Sequence, residues 1–259
     1  MRDFTLSFFD LFLQNLQSNS WQFFTLKKFI QSSPWSRKQC ILRHDIDRLP
    51  ENALKTAKLE NQLGIKASFY FRMVPQSYDE DIILQIAELD HEIGYHYEDL
   101  SLCNGDCASA IKHFELNLEK FRKIYPVKTI CMHGSPLSKW DNRDLWGKYN
   151  YRDFGIIAEP YFDIDFSDVL YLTDTGRRWN GSDVSVRDKV VGKGQNAFDS
   201  LKFRSTMDII NAAQNDLLPG KIMINTHPQR WDDRFIPWTR ELVWQNIKNI
   251  VKKIIVKSY

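Results

Sequence analysis

The chain has 259 residues, 43% of them hydrophobic, which is enough to bury one large core, and a domain of this size is most economically an α/β barrel or an open α/β sheet. A net charge of +2, from 35 basic and 33 acidic side chains, leaves no basic footprint and excludes nucleic acid as the expected partner, and the spacing of Cys40, Cys103, Cys107 and Cys131 fits neither a structural zinc knot nor a disulfide scaffold. No apolar run reaches the roughly 18 residues of a membrane span, Asp10 interrupts the early Phe-rich stretch and no cleavage site follows it, so the expected location is the cytoplasm.

The whole of 1–259 reads as a single domain, with residues 1–39 as an extension of one or two amphipathic helices packed on its outside. From residue 40 strands and helices alternate. CILRHDI is a strand, and PENALKTAKLENQLG is a helix with Pro50 at its start and Gly64 at its close. IKASFYFRM is strand-like, DEDIILQIAELD helical, and HEIGYH short and extended. Ile111, Phe114, Leu118, Phe121 and Tyr125 form one apolar helical stripe that Pro126 ends. KTICMH, VLYLT and KIMINTH are further strands, and DNRDLWGKY and RSTMDIINAAQNDL further helices. A last helix carries Val243, Ile247, Ile250 and Ile254 beside a solvated lysine face. Repeated strand then helix predicts parallel strands joined by crossover helices. Between Thr173 and Phe198 the order gives way to a Gly- and charge-rich segment, read as a functional loop.

Asp45 and Asp47 close the first of these strands, His96 follows HEIGY, His133 follows KTICM, and His227 follows KIMINT. In a parallel barrel the carboxyl ends of the strands share one face, where active sites are built. Taken singly, each residue has an ordinary explanation: a strand-end histidine is usually a hydrogen-bonded structural residue, and Asp45 can cap a helix or pair with Arg43 or Arg48. Taken together, an Asp/His set without cysteine suits a catalytic zinc or similar divalent ion that keeps a position open for water. Trp179 in TGRRWNG could stack on a sugar ring, and Arg177 or Arg178 could grip an anionic substituent; a loop anchor is the other reading of all three. His91 reads as a surface turn residue and His113 as lying on the solvated side of its helix. Gly192 and Gly194 lack the GxxxxGK[ST] frame of a phosphate loop and belong to a flexible loop.

The order ILRHDID, HEIGYHYEDL, MHGSP and INTHP resembles the polysaccharide deacetylases of the NodB-homology group, carbohydrate esterase family four. More narrowly it is similar to the branch encoded in bacterial O-antigen and surface-polysaccharide clusters, with strings such as RHDxD, EIGYHYEDL, MHGSPLS, DNRDLW, YLTDTGRRW and THPQRW. The resemblance runs from about residue 40 to the end. It implies a distorted (β/α) barrel of about seven parallel strands with outer helices. It also implies Asp45 as catalytic base, Asp47 and His96 as ligands of a divalent metal, zinc for preference, and His227 as general acid. The substrate would be an N- or O-acetylated sugar, nucleotide-sugar or oligosaccharide.

Two departures stand out. Leu100 occupies the place of the family's further metal-binding histidine, so His133 is expected as third ligand, with Glu98, Asp99 and His44 as alternatives. The family's Arg-Pro pair is replaced by His133, Gly134, Ser135 and Pro136, which leaves Arg43, Arg177 and Arg178 as candidates to orient Asp45. Two rival functions stay open, a non-catalytic carbohydrate-binding relative without a complete metal site and a metal-dependent hydrolase of non-sugar amides or esters.

Overall fold

The computed structural model describes residues 2–31, 37–135, 138–179, 198 and 200–257. In chain order its elements are α1 (Leu6–Ser18), β1 (Gln22–Phe24), α2 (Leu26–Gln31), β2 (Gln39–Ile46), α3 (Pro50–Gln62), β3 (Ser68–Phe71), α4 (Glu80–Glu88), β4 (Glu92–Tyr97), α5 (Asp99–Leu102), α6 (Cys107–Arg122), β5 (Ile130–Met132), α7 (Pro160–Asp163), β6 (Leu170–Thr173), α8 (Thr206–Gln214), β7 (Lys221–Thr226) and α9 (Phe235–Lys257), with short 3-10 turns between.

β2 is the hub. It is buried along its whole length, as a parallel strand covered on both faces must be. It pairs with β7 on one side and β3 on the other, and its first residues also pair with β1. The strand order is β5-β4-β3-β2-β7-β6, every pairing is parallel, and seven strands among the described residues curl into a distorted, incomplete (β/α) barrel wrapped by helices.

Side-chain alternation gives the barrel an inside and an outside. Leu42, Ile46, Phe69, Phe71, Ile93, Tyr95, Ile130, Leu172, Ile222 and Ile224 face outward into one large cluster with apolar residues of α1, α3, α4, α6 and α8. Each such fully buried side chain contributes about 1.5–3 kcal/mol of transfer free energy. Ile41, Tyr70, Cys131 and Met223 face inward and meet Leu26, Ile164, Phe166 and Val169. Gly94 is needed on this inner face: a Cβ there would lie 2.3 Å from the Tyr70 ring, which crosses the interior to reach Thr129 Oγ1 at 2.9 Å.

Residues 1–39 differ from the all-helical expectation. β1 is three residues long, too short for its alternation to be seen in the sequence, and it is recognised only through its pairing with Gln39–Ile41. α2 does not lie on the outside either. The Leu26 N–H donates to Ser68 Oγ and the Lys27 N–H to Glu92 Oε2, at the amino ends of β3 and β4, so α2 plugs the floor of the barrel. His91 is likewise no surface residue. It is buried, Nδ1 accepts from the Ala67 N–H, Nε2 donates to the Ala57 carbonyl, and burial lowers its pKa. Most of the segment read as a functional loop, including Gly192 and Gly194, lies outside the described residues, as does Pro136.

Candidate metal and acid-base site

Asp45 belongs to β2 and His96 to β4; His133 and His227 each follow the last residue of β5 and β7 by one position, and Asp47 lies just beyond β2. The structure brings all five together at the carboxyl end of the barrel. His96 Nε2 lies 3.9 Å from Asp45 Oδ2 and 3.7 Å from Asp47 Oδ1, His133 Nε2 lies 3.5 Å from Asp47 Oδ1, and His227 Nε2 lies 4.0 Å from Asp47 Oδ2.

Asp45 is held side-on by Arg43. Arg43 Nε donates to Oδ1 at 2.9 Å and its terminal nitrogen to Oδ2 at 2.6 Å, while Asn225 Nδ2 donates to Oδ2 at 3.0 Å. Of the arginines considered for this task, Arg43 makes the contact, because residues 43 and 45 share the inner face of one strand. Burial works to raise the Asp45 pKa, but Arg43 and His96 outweigh it and hold the carboxyl well below the usual range.

The donor set Asp47, His96 and His133 has the character of a cation site. The ligand atoms lie within 4.8 Å of one another, and the 3.5–3.7 Å from Asp47 Oδ1 to each imidazole Nε2 approaches the roughly 3.3 Å between ligands that sit about 2.0–2.1 Å from one tetrahedral ion. Asp47 Oδ1 is buried with no hydrogen-bond partner among the described residues, a costly arrangement that a bound cation would relieve. Both imidazoles are pinned by their other nitrogen. His96 Nδ1 donates to the Cys131 carbonyl at 2.9 Å, and His133 Nδ1 lies 2.8 Å from Glu98 Oε2, so each Nε2 is left with a lone pair. Burial lowers His96 to about 4, keeping it neutral near pH 7, and Glu98 is held to about 2 because His133 and Arg72 overcome its burial.

His227 is oriented by a residue that the sequence reading did not assign. Asp174, one position past β6, sits with Oδ1 2.6 Å from His227 Nδ1, and its Oδ2 accepts from the His227 N–H at 3.0 Å and from Trp231 Nε1 at 2.8 Å. Arg230 donates to Asp174 Oδ1 at 2.6 Å. Burial and Arg230 act to lower the His227 pKa, Asp174 and Asp47 act to raise it, and the carboxylates prevail. The signal was available: Asp174 lies in YLTDTGRRW at a strand end, as Asp45 and His227 do. Asn225 and Arg230 carried no comparable signal.

The other candidates fall elsewhere. Leu100 is buried against Ala110 of α6 and Leu145. Asp99 is buried and accepts from Tyr95 Oη, and His113 Nδ1 lies 2.6 Å from its Oδ1, so His113 is half-exposed but anchored. Glu98 supports His133 from behind. His44 points outward, with Nδ1 2.7 Å from Thr226 Oγ1 and Nε2 2.7 Å from Glu60 Oε1. Trp179 is buried beside Phe4, Phe12 and Trp231, and its Nε1 donates to Thr206 Oγ1 at 2.8 Å, so its indole anchors the turn and offers no face to a sugar. Arg177 and Arg178 line a separate pocket beside α9.

No family model matches the chain, and no curated protein matches it significantly. Among solved structures, a mutant of a CE4 family pseudoenzyme with restored enzymatic activity aligns over 85% of this chain and 64% of its own, at 11% identity and a TM-score of 0.45. The Xyl-CE4 domain of a multidomain xylanase from the hindgut metagenome of Trinervitermes trinervoides aligns over 86% of this chain and 85% of its own, at 12% identity and a TM-score of 0.39. The chain spans a little under two thirds of the first of these.

Proposed function

We propose that the chain is a metal-dependent deacetylase that removes an acetyl group from an N- or O-acetylated sugar in surface-polysaccharide biosynthesis. The observation that carries this reading is the unpartnered Asp47 Oδ1 between two imidazole nitrogens whose rings are fixed from behind by Cys131 and Glu98. Sugar as substrate and the biosynthetic setting rest on the resemblance of the sequence strings. A divalent ion, zinc in this reading, would be held by Asp47, His96 and His133, and would acidify water and stabilise the negative charge that develops on the carbonyl oxygen.

The chain's own groups supply the proton traffic. Asp45, ionised and held by Arg43 and Asn225, accepts the proton of the attacking water. His227, whose pKa Asp174 and Asp47 raise, donates a proton from Nε2 to the departing amine or alcohol. Arg43 and Asp174 each fix one catalytic side chain at two points, and a group held this way loses no time to reorientation.

The reading is tested by metal content and acetate release together. Purified protein should bind about one zinc per chain, with binding abolished in His96→Ala. Acetate release from N-acetylated sugars should fall about 10²–10⁴-fold in Asp45→Asn with zinc retained, the usual range for removing a general base. Zinc-loaded protein that releases no acetate from acetylated nucleotide-sugars or oligosaccharides would overturn the substrate assignment, and failure to bind any divalent ion would overturn the chemistry.

A further inference from the structure

Beside the barrel mouth, past the end of β6, Gly176, Arg177, Arg178, Arg204, Leu242, Gln245 and Asn246 line a pocket of about 250 Å3. Three of these described lining residues are arginines and none is acidic. Arg177 is only 7% exposed, yet its Nε and one terminal nitrogen have no hydrogen-bond partner among the described residues. Its other terminal nitrogen donates to the Trp238 carbonyl at 2.8 Å, and the group lies 4.4 Å from the Trp238 ring and 5.5 Å from that of Phe4, so the unpartnered edge is fixed in direction. Burial without a contact partner pulls its pKa down to about 10, although Glu241, Asp3 and Asp174 act the other way. Those acids are engaged elsewhere: Glu241 with Arg48 and Gln245, Asp3 with Thr206, and Asp174 with His227, Arg230 and Trp231. Arg177 also has a left-handed backbone, φ +59, directly after Gly176 at φ +73, a conformation unfavourable for a side-chain-bearing residue and characteristic of ligand clamps.

A buried guanidinium whose remaining N–H groups lack acceptors is costly, and of the two anions that match its fork, carboxylate and phosphoryl, the more highly charged phosphoryl group suits three arginines. We propose that Arg177, Arg178 and Arg204 form a second binding site, for a phosphoryl group. The turn that carries Arg177 also carries Asp174, to whose carbonyl the Arg177 N–H donates at 2.8 Å, so occupancy would bear on the turn that orients His227. If the deacetylase reading holds, this site would take the phosphate of a phosphate-linked sugar; that step alone rests on it.

The test is calorimetric titration of the full chain in excess chelator, with inorganic pyrophosphate as probe. Saturable binding at one site per chain is expected, weakening with added salt and falling about tenfold or more in the Arg178→Glu/Arg204→Glu double variant, both of whose side chains reach the surface. His96→Ala should bind the probe as the unaltered chain does. No saturable binding, binding indifferent to the double variant, or binding lost in His96→Ala would each overturn the site. Parallel titrations with a nucleoside diphosphate sugar and with inorganic phosphate distinguish the source of the group. Tighter binding of the sugar ester by tenfold or more assigns a substrate, equal binding assigns free phosphate, and either outcome upholds the phosphoryl site. Because no step uses metal or turnover, the deacetylase reading can fail while this site stands.

Discussion

Asp174→Asn tests the acid-base half of the site most directly. In the unaltered chain the Asp174 carboxylate opposes two influences that lower the His227 pKa, its burial and the Arg230 guanidinium. Removing the charge leaves both in place, with Asp47 as the remaining support. A hydrogen bond to a charged group contributes about 1.5–3 kcal/mol, and a pKa unit is about 1.36 kcal/mol, so the His227 pKa should drop by roughly 1–2 units. Since His227 must be protonated to act as an acid, activity is lost as pH rises through its pKa. The alkaline limb of kcat/KM against pH should therefore move to lower pH by that amount. Arg230→Gln should move the same limb the opposite way. The stability profile changes in step: protonation of His227 stabilises the unaltered chain fully below about pH 6.5 and less as pH rises through the raised folded value, and this component vanishes in Asp174→Asn. Arg230 then loses its buried partner, at a cost of about 3–5 kcal/mol, so the profile is recorded below the variant's own melting temperature, read by circular dichroism. An alkaline limb that stays fixed in both variants while rates fall would refute His227 as the acid.

Glu98→Gln should weaken zinc binding about 10–100-fold, measured by competition with a chromophoric chelator, because Glu98 sets the direction and basicity of His133 without touching the ion. Leu100→Ala should cost about 2–5 kcal/mol of unfolding free energy in urea with zinc affinity unchanged, since Leu100 is core between α5 and α6 and no part of the site. Stripping zinc from protein kept in free zinc at 100 times the Kd should remove about 2.7 kcal/mol, which for a chain of this size is a fall in Tm of roughly 5–10 °C. His96→Ala should show no such zinc-dependent shift, and a shift that persists in it would locate the ion elsewhere.

The strand and helix order was legible because every inner strand of the sheet carries a short β-rich run bounded by helix signals, and parallel pairing follows from that alternation. The direction of a face was not. Val243, Ile247 and Ile250 do share one stripe of α9, but that stripe is exposed, while Glu241, Gln245 and Asn249 on the other side are buried. Periodicity states which residues lie together, and only the tertiary partners decide which way they turn. His91 was misread for a similar reason. A histidine after a helix-ending Asp90 looks like turn chemistry, yet both its ring nitrogens find backbone partners inside the sheet-helix junction. Asp174 carries the same strand-end signal as Asp45 and His227, but its role rests on His227 and Arg230, residues more than 50 positions away.

The stretch ILRHDID joins these scales. Its ionisable residues are nearly contiguous in sequence but divide between two environments, because side chains along a strand alternate. Arg43 and Asp45 point inward and form one buried pair at the barrel mouth. His44 points outward and, with Thr226 and the fully buried Glu60, ties β2 to β7 and α3. Asp47 lies past the last residue of β2, where the alternation no longer binds it, and so can turn back toward His96 and His133. A one-residue slip of β2 would exchange the two sets, placing His44 in the mouth and turning the Arg43–Asp45 pair outward beneath α3. The register with β7, Arg43 beside Asn225 and His44 beside Thr226, is what prevents it, since His44 reaches Thr226 and Asp45 accepts from Asn225 Nδ2 only in that alignment. The geometry of the candidate site and the packing of the hub strand are thus fixed by the same pairing, and a change that loosens one must disturb the other.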